Sequence, residues 1–323
     1  MYRLSSKQAT TKMNTELPTW IIDAIKNNNS KLRPKSHESF ERICEIWPSF
    51  TNSYLNIPEN SELGILRTHS LDDLSKQYET PLLREFVLFN TCEQLHYFSI
   101  YQIRELGLSL IDSLENGRFY VAGITTRAML EVVCVNYWSF RRIDDLFREC
   151  FKWLQVASKT KSSKEREKLN KKYSENLYKI ATLVHEANTA TSLDWGVYLT
   201  QFGGSMPSEP PSKINTNEAI KDIASKSKLP LTEVYSVLSE FVHPNAGSKM
   251  LVINTKRAHN RLMDVVTVGN NRHNEEAALF YVDHLAEGLY YSLTLSLTLS
   301  DRFIRLLNVL NGFVTAASTQ KHH

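Results

Sequence analysis

Two long apolar periodicities hinged on a single Asn-Gly pair constrain this chain more than any other feature. From Thr80 to about Leu114 the residues Leu83, Phe86, Val87, Phe89, Leu95, Phe98 and Ile100 recur at three- and four-residue steps, which predicts a long, well-buried helix. Asn116-Gly117 should end it, because glycine accepts the left-handed backbone that closes a helix. A second run, from about Arg118 to Val156, carries Tyr120, Ile124, Met129, Val132, Val133, Tyr137, Phe140, Ile143, Leu146 and Phe151 at helical spacing. Two long helices joined by a tight turn predict an antiparallel hairpin, the seed of a bundle. Only 11 Gly and 10 Pro occur in 323 residues, too few for a turn-rich β architecture, so the expected fold class is all-α.

Shorter helices are predicted around this hairpin. Pro18 opens one with Trp20, Ile21, Ala24 and Ile25 on its apolar side, and Phe40, Ile43, Cys44 and Trp47 mark another that should stop before Pro48. Ser163 to Ala187 forms a third, Asn215 or Thr216 caps a helix through Ile223, and Pro230 starts one that reaches His243. A long C-terminal helix is expected from Glu275 to about Leu310. Within it, residues 293–300 alternate Leu with Thr or Ser at period two, yet the flanking periodicity favours helix. The β-branched runs Met250–Ile253 and Val265–Val268 predict a small ribbon near 250–268. Gly203-Gly204 and the proline-rich residues 207–211 describe an extended connection. The resulting division is an N-terminal helical and irregular arm over 1–78, a bundle over 79–313 and a disordered tail over 314–323.

Charge narrows the choice of function. With 38 basic and 35 acidic side chains the net charge is +3, so the whole chain lacks the strongly positive field of a dedicated nucleic-acid binder. The densest charge run, Lys159 to Lys172, mixes signs at helical spacing, which marks a solvated helix start; a phosphate-binding surface is the alternative. Cys44, Cys92, Cys134 and Cys150 are far apart and form no CxxC pair, so neither a metal cluster nor a disulfide framework is expected. Residues Met1–Met13 are polar and basic without an apolar core, which leads to the expectation of no secretory signal and a reduced, cytoplasmic setting. Leu285–Ser300 is interrupted by Glu287 and several hydroxyls and is short for a bilayer, so no membrane span is expected. No metal and no cofactor is called for.

One stretch groups polar side chains that could carry chemistry. His243 follows Glu240 by three residues and Ser239 by four, and Tyr235 lies one turn before Ser239, so these share a helix face. An imidazole beside a carboxylate can act as a general base; equally, His243 can cap the last helix carbonyls and bond the following turn at Asn245. On the second long helix Arg127 and Glu131 stand four apart among apolar neighbours. They form either a local ion pair at the core edge or, if Arg127 reaches His243 and Glu240, a grip for a phosphate or carboxylate. Gly203-Gly204-Ser205 lacks a P-loop lysine, the basic residues Arg257, His259, Arg261, Arg272 and His273 read as a solvated rim, and His96 and His185 read as packed helix histidines.

The segment Val234 to Gly247 resembles a Tyr-x-x-Leu-Ser-Glu-x-x-His-Pro-Asn signature of bacterial all-helical proteins, here Tyr235, Leu238, Ser239, Glu240, His243, Pro244 and Asn245. Phe202-Gly203-Gly204 and Ile214-Asn215-Thr216 are similar to the loop and helix start that precede that signature. The helix with Thr126 to Glu131 also resembles the Arg-x-x-x-Glu helix of HEPN-like bundles. The likeness covers roughly Tyr120 to Gly247. It implies a HEPN-like helical bundle that dimerises, with a role in stress or phage defence. HEPN nucleases carry an Arg followed by four to six residues and a His on one helix. Nothing of that spacing precedes His243, so Arg127 would have to come from elsewhere. The leading expectation is therefore a ligand- or RNA-binding regulatory protein. It would use His243, Arg127 and Glu240, with Glu131, Tyr235, Ser239 and Asn245 around them, to hold RNA, a nucleotide or a partner. The alternatives are a metal-independent endoribonuclease with His243 as base and Arg127 stabilising charge, and an architectural homodimer with no ligand site.

Overall fold

The structure is a computed structural model, and it describes residues 15–59, 61, 83–189, 215–243, 249, 251–256, 265–268 and 274–319. The architecture is all-α. Among the described residues the helices are α1 (Thr19–Asn27), α2 (Pro34–Phe50), α3 (Leu83–Glu115), α4 (Phe119–Lys159), α5 (Ser163–Thr189), α6 (Thr216–Ser227), α7 (Leu231–Val242) and α8 (Glu275–Thr319). One antiparallel ribbon joins them: β1 (Ile253–Lys256) pairs with β2 (Val265–Val268), with Ile253 opposite Val268. Its first strand begins three residues later than the apolar run starting at Met250, since Leu251 and Val252 form a turn and Leu251 is buried. No described helix is long and apolar enough to cross a membrane.

The turn between α3 and α4 shows why the two long helices separate where they do. Gly117 adopts φ 63°. Its N–H donates to Leu114 O at 3.1 Å, while Arg118 N–H donates to Ser113 O at 2.7 Å. This double closure satisfies carbonyls that the helix end would otherwise orphan, and an L side chain at position 117 would be strained.

The chain divides into two compact units, Met1–Ser61 with Ile100–Cys134 and Ile220–Thr298, and Glu62–Ser99 with Val135–Ala219 and Leu299–His323. This differs from the sequence division at residue 78. In the first unit α1 and α2 belong to the core: Ile21, Ile43, Phe50 and Tyr54 are buried with Ile103, Leu110, Phe119, Met129, Leu130 and Leu285. The start of α2 is fixed by α8. Asp283 Oδ1 accepts the backbone N–H of Arg33 at 2.8 Å, Asp283 Oδ2 pairs with Arg33 Nε at 3.1 Å, and Ser36 Oγ donates to the Asp283 carbonyl at 2.8 Å. Burial works against the Asp283 carboxylate, but the Arg33 bonds outweigh it and hold its pKa below the usual range.

α2 does not stop before Pro48. The helix runs on to Phe50 and then widens into a π turn over Thr51–Leu55, closed by Asn56 N–H to Thr51 O at 2.9 Å. Proline removes one helical hydrogen bond and crowds the preceding turn. Continuing nevertheless buries Phe50, Tyr54 and Leu55, stacks Phe50 on Tyr54 at 5.2 Å, and lets the Tyr54 hydroxyl donate to Ser296 O.

In the second unit the core is Leu95 and His96 of α3, Phe140, Ile143 and Cys150 of α4, Leu177, Ile180 and Val184 of α5, and Leu299, Phe303 and Leu310 of α8. Phe303 lies 4.7 Å from Phe140 and 5.2 Å from His96 by ring centroids. α8 continues to Thr319, six residues into the stretch assigned above to a tail, because no proline interrupts residues 311–319.

Candidate functional site

α4 and α7 meet in the first unit through three of the predicted side chains. α7 buries Leu231, Val234, Leu238 and Phe241 at helical spacing, and that stripe turns Tyr235 toward α4. Leu238 seats over Gly288 of α8, where an added Cβ would come within 2.7 Å of its Cδ1. Phe241 packs edge-on against Phe280 and His284 of α8, at 6.1 and 5.7 Å.

Arg127, Glu131 and Tyr235 then close a ring of contacts. Arg127 Nη2 donates to the Tyr235 hydroxyl at 3.0 Å, that hydroxyl donates to Glu131 Oε1 at 2.6 Å, and Arg127 Nη2 pairs with the same carboxylate oxygen at 3.0 Å. The guanidinium also lies over the tyrosine ring, 5.3 Å from its centroid. Burial raises the Tyr235 pKa, and its bond to Glu131 raises it further, so the phenol stays protonated and serves as donor. Burial disfavours the Arg127 charge, yet Tyr235 and Glu131 more than compensate and raise its pKa. Both charged side chains are half-buried, with exposures of 23% and 32%, which makes removing one partner costlier than breaking an ordinary surface bridge. Arg127 Nε is buried and unbonded.

The other predicted residues fall elsewhere on α7. Ser239 Oγ donates to the Tyr235 carbonyl at 2.8 Å, an interaction within its own helix. Glu240 is exposed. His243 is the exposed C-cap, with extended backbone and its N–H on Ser239 O at 3.2 Å. The hydrogen bonds and ion pair of Arg127 go to Tyr235 and Glu131, and neither His243 nor Glu240 is among its partners. Asn245 lies outside the described residues, as do Gly203-Gly204-Ser205 and the basic rim from Arg257 to His273; the side chain of His185 is likewise outside them.

Two side chains beside this site were not legible in the sequence. Tyr281 is buried, and its hydroxyl lies 3.0 Å from Thr126 Oγ1. Thr126 already donates to Ala122 O at 2.8 Å, so Tyr281 is the donor; burial pushes its pKa up to about 12. His284 Nδ1 lies 2.9 Å from Phe280 O. A carbonyl can only accept, so Nδ1 carries a proton and donates it within α8. A histidine four residues after a phenylalanine on the C-terminal helix was the available signal.

Thiol chemistry is unfavourable: burial pushes Cys92, Cys134 and Cys150 up to about 12. Among the described residues no group of three or more His, Cys, Asp and Glu side chains could hold a metal ion. No protein family, curated protein or solved structure matches the chain.

Proposed function

We propose that this chain is a regulatory helical protein that binds RNA or a nucleotide without cleaving it, with the exposed C-terminal end of α7 at Glu240 and His243 as the contact edge. The observation that supports this reading is the engagement of Arg127 by Glu131 and Tyr235. A metal-independent ribonuclease needs a cation beside its histidine to take up negative charge in the transition state. Tyr235 precedes His243 by eight residues, roughly 12 Å along a helix, and the guanidinium is held at the Tyr235 end. Held there, Arg127 braces α7 against α4. Binding requires less of the site: donors and acceptors on a firmly seated helix end suffice. A homodimer acting in stress or phage defence is the setting that the HEPN-like resemblance implies.

The test is fluorescence anisotropy with a short labelled RNA bearing a terminal phosphate, run beside a gel of the same RNA. Wild type should bind and leave the RNA intact, and His243→Ala should bind several-fold more weakly with an unchanged melting temperature. RNA shortened by wild type and spared by His243→Ala would establish the nuclease instead. No binding by either protein would leave the architectural homodimer.

A further inference from the structure

The α4–α5 hairpin concentrates the positive charge of the whole chain. Residues 141–179 hold twelve Lys and Arg against six Asp and Glu, a balance of +6, whereas the complete chain carries +3. Everything outside this segment is therefore net acidic. All of 141–179 lies within the second compact unit.

Helical geometry sorts that charge further. Ser162 opens α5 as a cap, its Oγ accepting Glu165 N–H at 3.4 Å, and the helix buries Asn176, Leu177, Ile180 and Val184 on one side. At about 100° per residue, Lys164, Lys168, Lys171, Lys172 and Lys179 fall on the opposite side within an arc of about 100°. Glu175 is the one acid on that arc. The five lysines are exposed and extend over roughly 22 Å of helix axis. Arg148, Lys226 and Arg305 each pair with an aspartate on their own helix. Among the described residues no salt bridge involves a side chain of α5.

We infer that this lysine face is a docking surface for duplex nucleic acid, gripped through its phosphates without reading sequence. Lysines are point charges on flexible stems that suit a phosphate row and lack the rigid planar fork that arginine brings to bidentate recognition. Between residues 164 and 179 the arc carries no large apolar side chain, so it lacks the wedge that seats an amphipathic helix in a bilayer and the apolar anchor that centres a protein interface. Single-stranded nucleic acid is held by aromatic platforms. The neighbouring Trp153 is half-buried, and the Lys172 ammonium sits 5.6 Å from its ring centroid, covering it. This surface shares no residue with the α7 end, and either can fail without the other.

The experiment compares two full-length variants of identical net charge. Lys164→Glu/Lys168→Glu/Lys171→Glu reverses the α5 face; Lys26→Glu/Lys31→Glu/Lys221→Glu reverses three exposed lysines of the first unit. Binding of a labelled random-sequence duplex is followed by anisotropy from about 0.05 to 0.2 M salt. Wild type and the control triple should bind alike, with log Kobs falling steeply against log salt. The α5 triple should lose on the order of tenfold or more at low salt, its slope flattening by about 2 to 3. A Lys164→Gln/Lys168→Gln/Lys171→Gln variant, which keeps good helix formers, should show a smaller loss in the same direction and guards against misfolding. The proposal is overturned if wild type does not bind duplex, if the control triple loses as much as the α5 triple, or if the α5 triple loses more binding to single strands or anionic vesicles than to duplex.

Discussion

Arg127 on α4 and Lys168 on α5 carry the same charge on long helices and live under opposite rules. Arg127 is half-buried and matched, held by a carboxylate four residues on and by a phenol from α7. Lys168 stands in water with like charges one turn away on either side and no ion pair. A cation surrounded by protein must be matched, because desolvation without a partner is expensive, and once matched it ties elements together. A cation in water costs the fold almost nothing either way and remains available to something outside it. The first kind of charge therefore reports on architecture, and the second reports on partners.

The largest effect should come from a cation that the core of the second unit refuses. Burial lowers the His96 pKa from 6.5 to about 4, so the folded state binds fewer protons than the unfolded chain. Stability is then fully present above about pH 6.5 and declines as the pH falls toward 4, by about 3 kcal/mol in all. Urea midpoints across that interval should fall for wild type and fall much less for His96→Gln; parallel profiles would show that His96 is not the titrating group. Removing the matched cation should come next. Arg127→Ala takes the cation from Glu131, leaving it the Tyr235 hydroxyl alone, and takes the donor from the Tyr235 oxygen, and should cost about 2 kcal/mol, with Tyr235→Phe costing about 1 kcal/mol. The double variant should cost less than the sum, since both act on one network; additive losses would mean the three groups are independent. Smallest is Lys168→Ala, expected within about 0.5 kcal/mol of wild type. A larger loss would mean that the α5 face is structural after all.

Much of the fold was legible because helices advertise their period. The Asn116-Gly117 stop was readable for a related reason, since glycine is the residue best suited to that backbone. The alternating residues 293–300 were harder. They can be helix because Leu293, Leu295 and Leu299 are buried, while Ser296 and Thr298 donate to carbonyls four residues back, at 2.7 and 2.8 Å. Those hydroxyls satisfy themselves inside an apolar setting. Pro48 misled because a local penalty was outweighed by the burial of Phe50 and Tyr54, which no local pattern records. At the site, the Arg127–Glu131 pair followed from four-residue spacing on one helix. Tyr235 was grouped with His243 by the same logic, yet its partners lie 108 and 104 positions away on α4. How α7 docks on α4 depends on tertiary packing, and a period along one helix carries no information about it.

The bond between Asp283 and the start of α2 spans 250 positions of chain. A ribosome releases residue 33 long before residue 283 exists, so throughout most of synthesis the amide that opens α2 has no carboxylate to receive it. The same holds for Tyr54, whose acceptor belongs to Ser296. α2 is thus laid down early and fastened late. Domains in which distant segments must meet are slow to close and leave apolar surface waiting in the meantime. For this chain the waiting surface is Ile43, Phe50 and Tyr54, and a nascent chain truncated before α8 should expose them to chaperones.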